Sequence, residues 1–347
     1  MDAASLRLAN RLQMTRGYLT TANAALPPAG KASTSGIDTT SWRLSYYITG
    51  AVLIYGALER FVDETLVATA RVLNVLISKY DDLPKIVREA HLDLTVQVMR
   101  SLDQPRWSEL TAADLSRRLA DCLNGVGSYE LNVDIFKERP GNYRHRQIRE
   151  SFRRLGVGIP EEVVTPGIDS VLDGKLSGKY ARMSTLLDDL VERRNEAAHG
   201  LDIADVLDFK TLMAIVDAIE AYAYALRAYA VSALCFTCEE SRADEVSSLG
   251  TLSHTWKIGS PGLRSLGEIT QGAVESCVGD VVMVGDGAKR RVAKIGSIGW
   301  GSRRLKRAKP IAGRKIALEF GQEVAKHEPV QRLARVSAET LQPFAGW

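Results

Sequence analysis

The spacing of apolar residues divides the chain into a long part with a helical period and a shorter part with brief apolar runs. The helical period covers residues 3–24 and resumes, after a stretch rich in Pro, Gly, Ser and Thr, from Ser41 to about Glu240. From Val281 onward, short apolar runs are separated by turns. The pattern predicts a mainly α protein, in which a helical bundle precedes a small C-terminal β domain.

These changes of pattern define four segments. Residues 1–40 are expected to be an N-terminal helix and linker, and residues 41–240 a helical domain. Residues 241–275, where Ser, Gly and Pro accumulate, are expected to be a second linker, and residues 276–347 a small basic β domain. A chain of 347 residues is long enough for about two domains.

Caps and breakers locate the helices of the second segment. Ser and Asp favour N-caps, proline favours the first helical turn, and glycine ends helices. The expected helix over 180–199 has an apolar stripe formed by Leu186, Leu187, Leu190 and Val191. The other expected helices are 42–79 with Ser41 as N-cap, one from Pro84 to Leu102, 114–123, 143–155 ended by Gly156, and one capped by Asp208 that runs through Ala233.

Alternating patterns predict strands in the last segment. The runs 281–284 and 291–298 flank Asp286-Gly287, a dipeptide that favours a tight turn, so they are expected to form a hairpin. Residues 315–320 alternate between polar and apolar and form another expected strand. A small barrel is compatible with these elements.

The composition is that of a globular protein, with 45% hydrophobic and 25% charged residues. The longest apolar uncharged run, 44–58, is shorter than the ~20 residues that a membrane span needs. The first residues lack the basic and apolar regions of a secretory signal, and four cysteines do not suggest a disulfide framework. We therefore expect a cytoplasmic protein with no membrane association.

Positive charge is concentrated in the last segment, although the net charge of the chain is only +3. Eleven cationic residues and no acidic residue lie between Gly287 and Lys315, with Trp300 among them. Cations beside an aromatic ring suit phosphate contacts and base stacking, so we expect nucleic-acid binding, with a solvated loop as the alternative. The cations are Lys289, Arg290, Arg291, Lys294, Arg303, Arg304, Lys306, Arg307, Lys309, Arg314 and Lys315.

The residues with the clearest chemistry lie in 192–200, Glu-Arg-Arg-Asn-Glu-Ala-Ala-His-Gly. The guanidinium of Arg194 is a permanent cation whose donors suit a phosphodiester. His199 has an ordinary pKa near neutrality, so it can both take and give a proton. Together they are sufficient for RNA cleavage in which the 2'-hydroxyl of the RNA is the nucleophile. By themselves, however, such residues more often belong to a solvated helix end than to a catalytic site, and Arg193 also fits with one more residue between.

This stretch resembles the motif of the HEPN superfamily, in particular its RiboL-PSP type: an Arg, a polar residue, three further residues and a His. The matching residues are Arg194, Asn195 and His199. A second segment, 141–156, resembles an Asn-Xaa-Arg element of the same group, with Asn142 and Arg144 in the matching positions. The resemblance extends loosely over about residues 41 to 236 and implies a HEPN-like helical bundle.

The resemblance implies a metal-independent endoribonuclease, either a toxin or an antiviral defence effector, with RNA as substrate. It also implies a homodimer with composite sites and, as a further partner, an antitoxin or activator protein. The chain departs from the toxins paired with a nucleotidyltransferase, because Leu201 stands where they carry a tyrosine. The alternative is a non-catalytic HEPN scaffold that binds nucleic acid or a protein partner.

In this hypothesis His199 transfers the proton, Arg194 stabilises the phosphate charge and Asn195 orients His199 or the phosphate. Glu59 is a candidate for holding Arg194, although charged residues are more often simply exposed. Arg193 either adds to the phosphate field or is solvated.

No cofactor is expected, because no carboxylate-rich cluster accompanies the motif. A zinc site formed by Cys235, Cys238, His254 and Cys277 is a weaker alternative, since there is no second close pair of ligands.

Helix geometry makes a further prediction about assembly. At ~100° per residue, Arg194 and His199 lie about 140° apart around an ideal helix, whereas Asn195 and His199 share a face. One helix therefore cannot direct both groups at one phosphate unless its end unwinds. Pairing of two copies about a two-fold axis would solve this problem.

Overall fold

The computed structural model describes residues 3–26, 38–125, 129–199, 205–241, 246–257, 265–270, 275–285, 291–301, 303–309, 311, 314–320, 324 and 326–333. The first part is helical and the last is an antiparallel sheet, which confirms the predicted fold class. Within the described part of the chain, every helix is too short or too polar to cross a bilayer.

The helical part contains long helices joined by shorter ones. The α-helices are α1 (Ala3–Ala24), α2 (Thr39–Leu76), α3 (Lys85–Met99), α4 (Ala112–Asn124), α5 (His145–Arg153), α6 (Pro166–Asp169), α7 (Met183–His199) and α8 (Phe209–Ser241). Single turns of 3-10 helix lie at Tyr80–Asp82, Pro105–Trp107 and Val133–Lys137, and a π-helical turn lies at Ser170–Lys175.

The ends of these helices agree with the predicted ones to within about three residues, except that α8 continues past the predicted Ala233 to Ser241, and one cap was assigned wrongly. The carboxylate of Asp38 accepts a hydrogen bond from the Ser41 backbone N–H at 3.0 Å, so Asp38 and not Ser41 is the N-cap of α2. Asp38 precedes the apolar pattern, which is why the pattern alone starts the helix too late. The carboxylate of Asp208 caps α8 as predicted, accepting from the Thr211 backbone N–H at 2.7 Å.

The core of the bundle lies where α1, α7 and α8 contact α2. Along α2, buried residues recur at helical spacing, among them Tyr47, Ile54 and Phe61. The four apolar residues predicted to form the stripe of α7 are all buried against this core. Burial of this stripe fixes the opposite, polar face of α7 toward solvent.

The C-terminal strands form a closed sheet. The strands β4, β9, β1, β2, β8 and β5 follow one another in antiparallel order, and β4 also pairs with β5, so the sheet closes into a barrel. The strands are β1 (Val246–Lys257), β2 (Ser265–Thr270), β3 (Ser276–Cys277), β4 (Val281–Val284), β5 (Arg291–Trp300), β6 (Arg303–Leu305), β7 (Arg307–Ala308), β8 (Lys315–Phe320) and β9 (Pro329–Leu333).

The predicted hairpin is confirmed, because β4 pairs with β5 with Val284 opposite Arg291. Its turn, Asp286-Gly287, lies outside the described residues. The strand over 315–320 is also confirmed, with alternate side chains buried in the barrel.

The prediction of a linker over 241–275 is wrong, because β1 and β2 lie within it. The register of β1 shifts between Ser248 and Gly250 against β9 and again between Leu252 and His254 against β2. Such bulges break the alternation of two that identifies a strand. The buried side chains Leu249 and Leu252 are consequently three residues apart.

Candidate active site

The candidate site lies on the last turns of α7, where the polar side of the helix faces outward. Arg194 and Asn195 are both half-buried. His199 is the last residue of α7, and its side chain, like all of Gly200 and Leu201, lies outside the described part of the structure.

Arg194 lies over an aromatic ring of α2. Its guanidinium carbon is 5.7 Å from the ring centroid of Tyr55, a distance typical of a cation–π contact. The ring is buried, and its hydroxyl accepts a hydrogen bond from the Tyr143 backbone N–H at 2.8 Å. Burial raises the pKa of Tyr55 to about 12, so the phenol stays neutral at physiological pH. A rigid, neutral platform therefore supports the Arg194 guanidinium.

Asn195 is oriented by its neighbours. Its Oδ1 accepts a hydrogen bond from Nδ2 of Asn142 at 2.8 Å and a longer one from Nη1 of Arg194 at 3.4 Å. Because arginine can only donate, the atom facing Arg194 must be the amide oxygen. Among the residues that the structure describes, the Asn195 amide nitrogen has no acceptor, so its two N–H groups are available to a ligand.

A second cation stands close by. Arg144, the N-cap residue of α5, forms an ion pair with Glu192, which is one turn before Asn195 on α7. The Arg144 side chain is 34% exposed and that of Glu192 is 57% exposed. An ion pair this exposed is weak, so a phosphate can replace the carboxylate. The structure thus brings both residues of the 142–144 element to the motif helix.

Glu59 is not the partner of Arg194. Its Oε1 accepts a hydrogen bond from Nη2 of Arg139 at 2.5 Å, and Nη1 of Arg139 bonds to Asp63 at 3.0 Å. The hydroxyl of Tyr143 donates to the same Asp63 oxygen at 2.6 Å. Burial raises the pKa of Asp63, while Arg139 and Tyr143 act in the opposite direction. Glu59 and Asp63 therefore hold the segment after Lys137 against α2.

Arg193 does not face a phosphate. Its guanidinium is buried and donates to Asp189 at 2.6 Å, to the Tyr47 hydroxyl at 2.8 Å and to the Asp205 carboxylate at 2.7 Å. Burial alone would lower the pKa of Arg193, but these bonds outweigh it and raise the pKa. The prediction of Arg193 as a nucleic-acid contact is wrong, because its donors are already used within the fold.

The α7 backbone remains helical through His199. The end of the helix therefore does not unwind between Arg194 and His199, and their Cα–Cβ directions differ by about 140° around the axis. Asn195 and His199, four residues apart, lie on one face. Within one copy of α7, the backbone thus places Arg194 and His199 on different faces of the helix.

The basic run lies on strands at one side of the barrel. Arg303 and Arg304 of β6 are exposed opposite Trp300 and Gly299 of β5. The side chains of Lys306, Arg307 and Lys309 are also exposed. Lys289 and Arg290 lie outside the described residues, as does the side chain of Arg291 and that of the proposed zinc ligand Cys238.

Trp300 is the aromatic residue within this run, and it is 44% exposed. The guanidinium carbon of Arg314 lies 4.3 Å from its ring centroid. Among the described cations of the run, Lys315 is 3.2 Å from Glu268 and Arg307 is 3.9 Å from Glu275. The described part of the run is therefore an exposed cationic surface with an aromatic ring.

Sequence reasoning did not find Tyr55, Arg139 and Asp63, which support the site. Tyr55 belongs to the long apolar run of α2, where an aromatic residue is usually only a core residue. Asp63, four residues after Glu59, was the available indication, since a carboxylate on the inner face of a helix needs a partner.

A comparison with protein families matches the RiboL-PSP-HEPN model to residues 35–231, which is more than half of the 347 residues. The match includes α2 to α7 and most of α8. No curated protein and no solved structure matches the chain. The chain therefore belongs to the RiboL-PSP-HEPN family, whose domains are generally of the ribonuclease type.

Proposed function

We propose that this protein is a metal-independent endoribonuclease that cleaves RNA through the 2'-hydroxyl of its substrate. The observation that carries the proposal is the cation–amide pair on α7. Arg194 is supported by Tyr55, and Asn195 presents its free N–H groups beside it. Both lie within two turns of His199 on one continuous helix.

The reaction follows from the chemistry of these groups. A base takes the proton of the 2'-hydroxyl, and the 2'-oxygen attacks the adjacent phosphorus. The bond from phosphorus to the 5'-oxygen breaks, and that oxygen receives a proton. The products are a 2',3'-cyclic phosphate and a free 5'-hydroxyl. His199 serves one of the two proton transfers.

The other groups stabilise charge and position. Arg194 faces the negative charge that develops on the non-bridging oxygens, where a fixed cation has its largest effect. The Asn195 N–H groups bind a phosphate oxygen or the ring of His199. Arg144 is a second cation for the flanking phosphate, released from Glu192 when RNA binds.

A second copy of the chain completes the site in this proposal. Because Arg194 and His199 lie on different faces of one helix, the His199 of one protomer meets the Arg194 of its partner across a two-fold axis. Two-fold dimers are the commonest symmetric oligomers. The site is therefore incomplete in a monomer.

The barrel supplies affinity for RNA. Its exposed cations contact phosphates, and Trp300 offers a ring to an unpaired base. We further propose a role as a toxin or antiviral defence effector controlled by an antitoxin or activator protein, because unrestrained cleavage of RNA would harm the host cell.

The test is incubation of the purified full-length protein with total cellular RNA in the presence of a chelator. We expect fragments that end in 2',3'-cyclic phosphate, and no fragments from the His199→Ala or Arg194→Ala variants. Each variant must keep the unfolding temperature of the parent. Cleavage that survives both substitutions, or that stops on chelation, would contradict the mechanism. Intact RNA with the parent protein would favour a non-catalytic HEPN scaffold.

A further inference from the structure

A cavity of about 660 Å³ opens in the helical part of the molecule, and neither Arg194 nor Asn195 is among the residues that line it. Residues of α1, α2 and α8 line it, together with the segments around Pro105–Trp107 and Val133–Lys137. Its size falls in the range of roughly 300–1,000 Å³ found for small-molecule sites.

One wall of the cavity is apolar. Val67, Ala68, Val72 and Val75 follow one another at helical spacing along the second half of α2. Val75 is 54% exposed and Ala68 is half-buried, whereas Val67 and Val72 are buried in the core, so the part of this strip that is open to solvent is formed by Ala68 and Val75. An apolar strip of this width suits the flat or apolar part of a small ligand.

A second part of the cavity, around Glu64, is charged instead of apolar, because three arginines lie close to this carboxylate. Its carboxylate is 2.8 Å from Nε of Arg7, 3.7 Å from Nη2 of Arg11 and 3.5 Å from Nε of Arg60. One carboxylate neutralises only one of three guanidinium groups. In addition, Nη1 of Arg11 is buried and has no hydrogen-bond acceptor among the residues that the structure describes.

The net charge of the residues that line the cavity is also positive. Six cationic side chains and four carboxylates face the cavity, which leaves an excess of two positive charges without Arg11. Arg71, two turns after Glu64 on α2, is exposed, and no carboxylate partner for it is found in the described part of the chain. Arg227 of α8 also lines the cavity and is largely buried.

We propose that this cavity binds a small molecule that carries phosphate groups, of about the size of a nucleotide. Its phosphates bind the arginines around Glu64 and Arg71, whose fork-like donors match phosphate oxygens. The remainder of the ligand lies on the apolar strip of α2. This site is separate from the proposed cleavage of RNA and does not depend on it.

The experiment measures binding to the full-length protein by calorimetry, with ATP and inorganic pyrophosphate as probes. The test variant is Arg60→Ser with Arg71→Ser, because both side chains are exposed on α2 and their loss opens no core cavity. The matched control is Arg43→Ser with Arg100→Ser, two exposed arginines that do not line the cavity. The unfolding temperature without probe must be the same in all three proteins.

We expect at least one probe to bind the parent and the control alike, and the test variant to bind it roughly tenfold more weakly or worse, the effect of removing charged hydrogen bonds. Failure of both probes to bind the parent would overturn the proposal. So would equal binding by the test variant, or equal weakening in the control.

A third titration uses a short single-stranded RNA. If the RNA alone depends on Arg60 and Arg71, the cavity belongs to the path of the RNA and the small-ligand proposal is wrong. Repeating the titrations in a His199→Ala background keeps the result independent of cleavage.

Discussion

Asn142 and Asn195 are joined by a hydrogen bond of 2.8 Å, in which the amide nitrogen of Asn142 donates to the amide oxygen of Asn195. The two residues are far apart in the chain, on the segment before α5 and on α7. The bond holds the amide oxygen of Asn195 against Asn142 and leaves the amide nitrogen of Asn195 for a ligand. It therefore makes Asn142 a positioning residue that acts on the candidate site through Asn195.

The Asn142→Ala variant tests this role. Without the donor, the Asn195 amide is free to rotate, and we expect kcat for RNA cleavage to fall by roughly 10- to 100-fold, the effect of small misplacements at reacting groups. KM should change less, because the cations that bind phosphate are unchanged. Asn142→Asp should show the same reduction, since a carboxylate cannot donate.

The control is Asn124→Ala, which removes an exposed asparagine at the end of α4. It should leave both kinetic constants as they are. Undiminished kcat in Asn142→Ala, with RNA cleavage otherwise as proposed, would rule out the positioning role.

The adjacent residues Arg193 and Arg194 should have separable effects. Arg193→Gln removes the cation beside Asp189 and the donor to the Tyr47 hydroxyl, while the Tyr180 hydroxyl still donates to Asp189. We expect it to destabilise the fold by roughly 2–4 kcal/mol, somewhat less than for a fully buried pair because Asp205 is exposed. Arg194→Gln should keep the free energy of unfolding within about 1 kcal/mol and reduce kcat by roughly 100- to 1,000-fold.

Urea denaturation and single-turnover cleavage of RNA measure the two effects. The assignment of roles is reversed if Arg194→Gln is the variant that unfolds more easily while cleavage survives.

The sequence was sufficient for the helices and for the position of the motif, because both depend on local spacing. Leu186 and Leu190 were predicted to be buried on α7 from their period alone, and they are. The partners of charged residues could not be predicted in this way. Glu59 binds Arg139, 80 positions later, and Arg193 binds Tyr47, 146 positions earlier. The spacing of residues within one helix carries no information about partners so far away in the sequence. The strand β1 was not predicted because its bulges interrupt the alternation of buried and exposed residues that identifies a strand.

Mixing two inactive variants tests the proposed dimer. If the site combines His199 of one protomer with Arg194 of its partner, a mixed dimer of His199→Ala and Arg194→Ala retains one intact site. Half of the randomly mixed dimers would be mixed, so we expect about a quarter of the parent activity after exchange of subunits. Two homodimers assayed without exchange provide the background. Recovery that does not exceed this background would place both groups in one protomer.

The basic surface of the barrel should affect binding and not turnover. Replacing Arg303, Arg304, Lys306 and Arg307 with Ser removes four exposed cations. We expect weaker RNA binding and a shallower dependence of the affinity on salt, by up to about one unit of slope for each phosphate that the variant no longer neutralises. Turnover at saturating RNA should stay close to that of the parent. An unchanged salt slope would show that these cations are only a solvated surface.

A buried histidine of the bundle should make stability depend on pH. The Nε2 of His91 accepts from the Asn132 backbone N–H at 3.0 Å, and burial lowers the pKa of His91 to about 4. The unfolded chain therefore takes up this proton first, near pH 6.5. The folded state should lose roughly 3 kcal/mol as the pH falls from about 6.5 to about 4.

Urea denaturation across this pH range measures the decrease in stability. A His91→Gln variant keeps an acceptor for Asn132 but does not titrate, so its stability should fall less over the same range. Parallel curves for the two proteins would show that His91 does not cause the pH dependence.

Closure of the barrel restricts how another chain can associate with it. A strand in a closed sheet has no unpaired backbone groups to offer, so an incoming strand cannot extend it. Within the described seven-stranded sheet, β6 pairs on one side only, with β5, and it carries Arg303 and Arg304. Charged side chains on such an edge discourage pairing between molecules. We therefore expect the two arginines that are proposed to contact RNA to disfavour aggregation as well. Their replacement by Val or Ile should produce aggregation where replacement by Ser does not.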